Sequence, residues 1–181
     1  MTARNIIFIA GIHGVGKTQL CNEICNRLKI EYVNAGELIR RSKREEATIR
    51  KKVGNIHQNQ EALILALDDY LKADIFYLLD GHFCLIKEGD KIEKIPASVF
   101  EQINPLAVVL LKDNIDAIKG RLAKRDQFNY EFDLLRDLQN IEIEHAENIC
   151  KIYNLPLLIK NPFVAQERAE IVEFVKGQVS K

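Results

Sequence analysis

The strongest constraint on the fold is a glycine-rich octapeptide that directly follows a short apolar run near the start of the chain. The run, residues 5–10 (NIIFIA), is β-prone and typical of a strand buried on both faces of a parallel sheet. The octapeptide at residues 11–18 (GIHGVGKT) fits the P-loop pattern, and apolar residues then recur at helical spacing to residue 28. Strand, loop and helix in this order predict a site for the phosphates of a nucleotide.

The residue types in the octapeptide suit a magnesium-bound polyphosphate. Its three glycines let successive backbone N–H groups point into one concavity, and the following helix adds its own unpaired N–H groups. We expect Lys17 to bridge the β- and γ-phosphates of ATP and the Thr18 hydroxyl to coordinate Mg²⁺. His13 faces either the ligand or solvent. The predicted nucleotide-binding residues are Gly11, His13, Gly14, Val15, Gly16, Lys17, Thr18 and Gln19.

Asp80 closes another apolar run, residues 75–79. At the carboxyl end of a parallel strand, its carboxylate would lie beside the phosphate-binding loop and hold Mg²⁺ directly or through water. An aspartate that opens a turn with Gly81 would satisfy the same sequence. The predicted metal site therefore consists of Thr18 and Asp80.

The alternation of predicted elements indicates an α/β fold. Apolar runs predict strands at residues 5–10, 31–33, 75–79, 107–111 and 157–159. Helical spacing predicts helices at residues 17–28, 36–52, 61–72, 115–124, 133–153 and 165–176. Two β-prone segments predict a hairpin at about residues 83–95. The expected architecture is a three-layer αβα sandwich of the P-loop NTPase type, with a mostly parallel five-stranded sheet and an inserted β-hairpin, in a single domain over residues 1–181.

Composition argues against several classes of function. The 26 lysines and arginines balance 26 aspartates and glutamates, so no net field attracts nucleic acid. No apolar run approaches the ~20 residues of a membrane span, and no signal peptide is recognisable, so we expect a soluble, cytoplasmic protein without a membrane partner. The four cysteines lack the spacing of a disulfide framework or a zinc site and are interpreted as reduced thiols. No sequence pattern indicates an oligomeric state.

Three further segments carry a family resemblance: VNAGELIR at residues 33–40, DGH at 80–82 and GRLAKRD at 120–126. Together with the P-loop they resemble the adenylate kinases and related nucleoside monophosphate kinases. The first segment is similar to the monophosphate-binding segment of that family, and the third to the helix that leads into its lid. The aspartate and histidine of the second segment, followed by a hairpin, look most like the archaeal-type adenylate kinases.

The resemblance implies roles for five residues. Gly36 opens a helix beside the monophosphate, Arg40 clamps its phosphate, and His82 lines its pocket. Arg121 and Arg125, four residues apart on one helix face, stabilise the phosphoryl group in transfer. The ordinary alternatives stay open: a solvated basic helix face for Arg40, a hairpin cap for His82, and surface positions for the two lid arginines.

The chain also departs from the family pattern. The segment Gly-Phe-Pro-Arg of bacterial-type members is replaced here by Gly-His-Phe-Cys at residues 81–84, so one expected phosphate-binding arginine is missing. The family comparison implies monophosphate-binding helices at about residues 34–73 and a very short lid at about residues 126–133. These departures bear on the acceptor and leave the prediction of ATP binding unchanged.

The leading prediction is a nucleotide kinase that transfers the γ-phosphoryl group of Mg·ATP to a nucleoside monophosphate, with AMP as the first candidate. Lys17, Arg121 and Arg125 are its predicted catalytic residues. One alternative is a kinase acting on the hydroxyl of a small metabolite or a nucleic-acid end, with Asp80 or Glu37 as the base. A second alternative is a nucleotide-dependent ATPase or switch whose hairpin contacts a partner.

Overall fold

The described residues, 4–49, 56–126 and 130–180 in a computed structural model, form seven strands and seven helices. In chain order they are β1 (Ile6–Ala10), α1 (Lys17–Leu28), β2 (Glu31–Asn34), α2 (Ala35–Ile49), α3 (Ile56–Tyr70), β3 (Tyr77–Asp80), β4 (Cys84–Lys87), β5 (Lys91–Lys94), α4 (Ala97–Ile103), β6 (Ala107–Leu111), α5 (Ile115–Asp126), α6 (Phe132–Ile152), β7 (Leu157–Lys160) and α7 (Ala165–Val179). The α/β prediction is confirmed.

Five strands form one sheet in the order β2-β3-β1-β6-β7, and every pairing between them is parallel. Strands β1, β3 and β6 are buried along their whole length, which explains why their sequences are almost uninterrupted apolar runs. Because all five strands point the same way, their carboxyl ends meet at one edge of the sheet. Every loop that carries a predicted site residue begins at or near that edge.

The helices cover both faces of the sheet. The connection from β1 to β2 runs toward one side of the sheet and the later connections run the other way, so right-handed crossovers place α1 opposite α3, α4 and α6. An ion pair between Glu23 of α1 and Arg168 of α7 holds α7 on the face of α1. None of the described helices combines the length and the apolar composition that crossing a bilayer requires.

The predicted hairpin is confirmed as the antiparallel pair β4 and β5, which forms a sheet of its own. An aromatic cluster anchors its base to the main sheet: the Phe83 ring stacks on Phe100 of α4 at 4.4 Å, and Phe8 of β1 meets both rings edge-on. Helix α4 lies between the hairpin and the fourth strand of the main sheet, where no helix was predicted. This short helix closes one end of a cleft at the carboxyl edge of the sheet.

Element boundaries differ from the predicted ones by a few residues. The strand expected at residues 75–79 begins at Tyr77 and includes Asp80, and the helix expected at 61–72 begins at Ile56. The helix expected at 36–52 begins at Ala35 and is described to Ile49. Residues 50–55 of the predicted monophosphate-binding helices and residues 127–129 of the predicted lid lie outside the described residues.

Candidate active site

A cleft of about 760 Å³ opens at the carboxyl edge of the sheet. The P-loop forms its floor, α5 forms one wall, and the start of α2 together with α3, α4 and the base of the hairpin forms the other. This volume lies within the range of about 300–1,000 Å³ that is usual for small-molecule sites. The structure therefore brings the predicted nucleotide and acceptor residues to a single cavity.

Two glycines of the P-loop are required by its geometry. Gly14 has a φ of 77°, and a Cβ there would lie 2.7 Å from Cγ of Leu122 on α5. Gly16 has a φ of 103°, and its Cβ would lie 2.9 Å from the Phe163 ring. A side chain at either position would be strained and would push neighbouring groups away. The loop is thus pressed between α5 and the segment that precedes α7.

Lys17 lies at the bottom of the P-loop and is only 7% exposed. Its Nζ donates hydrogen bonds to the carbonyl oxygens of Gly11 and Ile12, at 2.6 and 3.3 Å, and lies 3.8 Å from Oδ1 of Asp80. Burial lowers the pKa of Lys17, and the Asp80 carboxylate opposes that shift. The Lys17 ammonium therefore lies inside the loop, next to the position predicted for the phosphates.

Asp80 ends β3 and is 3% exposed. Its Oδ2 accepts hydrogen bonds from Oη of Tyr32 at 2.9 Å and from Nδ2 of Asn34 at 3.2 Å. Burial raises the pKa of Asp80, while Lys17 and these two hydrogen bonds lower it. Neither Tyr32 nor Asn34 was predicted as a site residue. Asn34 is paired with Asp80 in the parallel register of β2 and β3, a pairing that the sequence did not predict because the expected strand ended at residue 33 and no strand order was predicted.

The residues predicted to bind the metal suit Mg²⁺ in their chemistry. Thr18 and Asp80 both line the cleft, and they offer a hydroxyl and a carboxylate oxygen, the hard donors that Mg²⁺ prefers. Within the described ranges, no group of three or more His, Cys, Asp or Glu side chains could hold a metal ion. A magnesium ion here would thus depend on substrate phosphates and water for its other ligands, as it does in many phosphoryl-transfer enzymes.

Two histidines stand over the P-loop. The rings of His13 and His82 are 4.3 Å apart between centroids, and both side chains line the cleft. Desolvation by the cleft walls, followed by the charges of Lys17 and Arg125, lowers the pKa of His13 to about 4. Burial, followed by Lys17, lowers the pKa of His82 well below its usual value. Both rings are therefore neutral at pH 7, and they add hydrogen-bonding groups to the site without adding charge.

The two arginines of α5 both line the cleft but have different partners. Arg121 donates to the Gly14 carbonyl oxygen at 2.7 Å and to Asp113 at 2.6 Å, and its guanidinium lies 4.3 Å from the centroid of the Phe163 ring. Arg125 pairs with its neighbour Asp126 and is more than half exposed. Arg121 thus braces the loop from outside, whereas Arg125 extends toward the open cleft.

The predicted acceptor residues lie on the other wall. Gly36 and Arg40 line the cleft at the start of α2, where Oδ1 of Asn34 accepts a hydrogen bond from the Glu37 amide at 3.0 Å. The Arg40 guanidinium is largely exposed, and its Nη2 lies 3.9 Å from Oε1 of Glu37. This loose pairing leaves Arg40 available to an anionic ligand.

Beyond these residues the cleft ends in an apolar wall that sequence analysis missed. Its members come from α3, the hairpin and α4, and they are Leu63, Leu85, Ile95, Val99, Phe100 and Ile103. The wall depends on α4, whose short sequence carries no strong periodic signal. The cleft therefore has a polar end at the P-loop and an apolar end at α4.

Glu142 of α6 is a buried carboxylate that sequence analysis also missed. Its Oε1 accepts the amide N–H groups of Gly11 at 3.3 Å and Phe83 at 2.9 Å, and its Oε2 accepts that of Cys84 at 2.6 Å. Burial raises the pKa of Glu142 to about 7, against the opposing effect of the amides and of Lys17. A signal existed in the sequence, because Glu142 interrupts the buried stripe of α6.

The fold and the site together define a class of protein. A parallel sheet whose middle strand runs into a P-loop, with the buried lysine and the strand-end aspartate beside it, is the arrangement of the P-loop kinases. The chain belongs to the AAA domain family, which matches residues 10–139. The family and the fold agree with the prediction made from the sequence.

Comparison with individual proteins points in the same direction. The chain is 26% identical over 144 residues to the adenylate kinase of Methanocaldococcus jannaschii, covering 74% of this chain and 75% of that protein. Among solved structures, shikimate kinase from Acinetobacter baumannii, in complex with shikimate, matches with a TM-score of 0.60 at 15% identity, covering 98% and 93% of the two chains. A gluconokinase from Sinorhizobium meliloti 1021 matches with a TM-score of 0.51 at 16% identity, covering 96% and 90%. These two structural matches establish the fold and leave the acceptor open.

Proposed function

We propose that the protein transfers the γ-phosphoryl group of Mg·ATP to a nucleoside monophosphate, with AMP as the first candidate. The observation that carries this proposal is the shape of the cleft beyond the P-loop. Arg40 lines this part of the cleft as a loosely paired cation. The end of the cleft away from the P-loop is a wall of aliphatic and aromatic side chains that includes Leu63 and Phe100. A phosphate joined to a flat base matches a cation followed by an apolar pocket.

The residues of the chain have distinct tasks in this reaction. Lys17 would leave the carbonyls of its own loop to bridge the β- and γ-phosphates, while Thr18 and Asp80 would hold the Mg²⁺ that offsets phosphate charge. An anionic oxygen of the monophosphate attacks the γ-phosphorus, and the bond to the β,γ-bridging oxygen breaks, which gives two diphosphates. Because that oxygen already carries negative charge, no general base is required. Catalysis then consists of positioning and electrostatic stabilisation.

The hydrogen-bond partners of Arg121 and Arg125 suggest different roles for these two arginines. Arg121 donates hydrogen bonds to Gly14 and Asp113, so its guanidinium would have to exchange these partners to reach the phosphates. The partner of Arg125 is its neighbour Asp126 at the exposed end of α5. A guanidinium there can exchange that contact for the phosphoryl oxygens, where developing charge strengthens the interaction. Arg125 is therefore our candidate for stabilising the transition state.

A kinase with a hydroxyl acceptor is the second candidate. It is favoured by the Asp80 carboxylate, which lies in the cleft with a raised pKa and could accept a proton from an alcohol. The solved structures of similar fold are described as kinases of gluconate, shikimate and sugars. Against it, Asp80 is already engaged by Tyr32, Asn34 and Lys17, and an apolar wall offers few partners for a polyhydroxylated substrate.

A coupled assay of ADP formation separates these candidates. We expect ADP formation from Mg·ATP to depend on one nucleoside monophosphate in a panel that also contains gluconate, shikimate and simple sugars. Arg40→Ala should raise the KM for that monophosphate by about tenfold, since a charged hydrogen bond contributes at least ~1.5 kcal/mol. Arg27→Ala, an exposed arginine on α1, is the matched control. Turnover with a sugar would favour the second candidate, and ADP release indifferent to every acceptor would favour an ATPase or switch.

A further inference from the structure

Glu142 connects two parts of the site that are far apart in the sequence. One carboxylate oxygen is shared by the first amide of the P-loop, at Gly11, and the first amide of the hairpin segment, at Phe83. The other oxygen accepts the amide of Cys84. The side chain is 1% exposed and lies outside the set of described residues that line the cleft. It therefore cannot touch a substrate directly, and its effect on the reaction must pass through its neighbours. These are the three amides, Nδ1 of His82 at 3.9 Å from Oε1, and the nearby charge of Lys17.

The chemistry of the position calls for a carboxylate. Three N–H donors converge on two oxygens, and the ionised form of Glu142, which predominates above its pKa of about 7, offers only acceptors. A glutamine would keep one oxygen and would turn an NH₂ group toward one of the amides, so that two donors would face each other. An apolar residue would leave all three amides without a partner in the interior, which is costly for each of them.

The position of the hairpin base makes this link relevant to the acceptor. His82 and Leu85, which line the cleft, lie on either side of the two bonded amides in the chain. The Phe83 ring stacks on Phe100 of α4, and α4 contributes part of the apolar wall. A shift of the Gly11 amide on phosphate binding would therefore reach the wall of the acceptor pocket through Oε1 of Glu142.

We propose that Glu142 is a positioning residue that couples the P-loop to the base of the hairpin, so that the acceptor wall is ordered when nucleotide is bound. This inference rests on the proposed function in one respect, namely that the P-loop binds a nucleotide. It does not depend on which acceptor is used. Glu142 acts through the backbone of Gly11, Phe83 and Cys84.

The test is hydrogen exchange at the Phe83 and Cys84 amides, measured by NMR on the full chain with and without Mg·ADP. Exchange requires these amides to separate from the carboxylate, so its rate reports the strength of the link. We expect Mg·ADP to slow exchange at both amides by about tenfold or more in the wild type. In Glu142→Gln this slowing should disappear, although calorimetry still detects Mg·ADP binding. Glu142→Asp, which keeps the carboxylate, should recover part of it.

The matched control is Glu144→Gln. Glu144 lies two residues further along α6 and also joins that helix to the hairpin, through Lys94 at 3.1 Å, but this ion pair is exposed. Its replacement should leave the slowing intact. In the kinase assay, Glu142→Gln should lower kcat by about 100-fold, the scale of a misplacement near 1 Å, and change the KM for ATP far less.

Two results would overturn the inference. Wild-type protein that binds Mg·ADP without slower exchange at these amides would show that the link transmits nothing, whether or not the variants fold. Equal slowing in the wild type and Glu142→Gln would show that coupling follows another route. If the wild type does not bind Mg·ADP at all, the proposed function fails as well, which calorimetry detects independently of the exchange measurement.

Discussion

Replacement of Lys17 by methionine separates the two tasks that the structure gives this residue. Methionine keeps the length and apolar stem of lysine and removes the charge. In the structure, the Lys17 ammonium donates hydrogen bonds to two loop carbonyls and lies 3.8 Å from Asp80. In the proposed reaction it binds the phosphates instead. The first task affects stability and the second affects turnover, so both are measurable on one variant.

The cost in stability follows from these contacts. Two opposite charges about 4 Å apart interact with about 4 kcal/mol at an effective dielectric constant of 20, and each charged hydrogen bond contributes about 1.5–3 kcal/mol. Burial of the ammonium costs several kcal/mol and offsets much of this sum. We therefore expect Lys17→Met to lower the free energy of unfolding by about 2–4 kcal/mol, chiefly because Asp80 loses its cation. The variant should still fold.

Turnover should fall much further. Loss of one preorganised donor to a developing charge costs about 100- to 1,000-fold in kcat, and we expect Lys17→Met to reach at least this range. Urea denaturation measures the stability, and the coupled assay measures turnover. Adding Asp80→Asn should restore part of the stability of Lys17→Met and none of its activity, because the orphaned carboxylate is then neutral.

Lys151→Met, an exposed lysine on α6, is the control and should change the unfolding free energy by less than about 0.5 kcal/mol. Turnover of Lys17→Met equal to that of this control would refute the phosphate role of Lys17. Unchanged stability in Lys17→Met, with no recovery in the double variant, would refute its pairing with Asp80.

Two further predictions concern stability. The pKa of the Glu142 carboxyl is about 7 in the folded protein, against an ordinary value of 4.5. As pH rises, the unfolded chain therefore loses the Glu142 proton before the folded protein does. The contribution of this group to the free energy of unfolding is then lost between about pH 5 and pH 8. Relative to Glu142→Gln, the wild type should lose up to about 3 kcal/mol across this window in urea denaturation, and a pH-independent difference would contradict the assignment. Gly14→Ala, with its Cβ 2.7 Å from Leu122, should lower the unfolding free energy by about 1–3 kcal/mol, whereas Gly177→Ala, in an open helical position, should raise it by about 1 kcal/mol. Equal effects of the two alanines would refute this reasoning.

The fold was predictable from short patterns of neighbouring residues in the sequence. Strands β1, β3 and β6 are buried on both faces, so their sequences had to be nearly continuous apolar runs that are visible without a structure. The P-loop was equally visible, because its φ angles require glycine and its ligand requires lysine and threonine. The resemblance drew attention to Gly36, Arg40 and His82, and the structure brings all three to the same cleft as the loop. Their roles stay predictions.

Other parts of the site had weaker signals. Helix α4 has only seven residues, too few for a clear period, yet it closes the apolar end of the cleft. Tyr32 lies on a short strand whose pattern gives no reason to expect a hydrogen bond to Asp80. Arg121 was predicted to meet phosphate, which stays a prediction, and no sequence pattern indicated its hydrogen bonds to Gly14 and Asp113. Each of these facts depends on which elements become neighbours.

The sequence by itself determined that this chain forms a mostly parallel α/β sheet with a phosphate-binding loop after its first strand, because both features depend on residues close together along the chain. Only the tertiary structure decided what surrounds that loop. Glu142 is 131 residues from Gly11 and 58 from Cys84, and a hydrogen bond reaches about 3 Å. Such a contact exists only after the sheet and its helices have packed, and no pattern of spacing within one element can encode it.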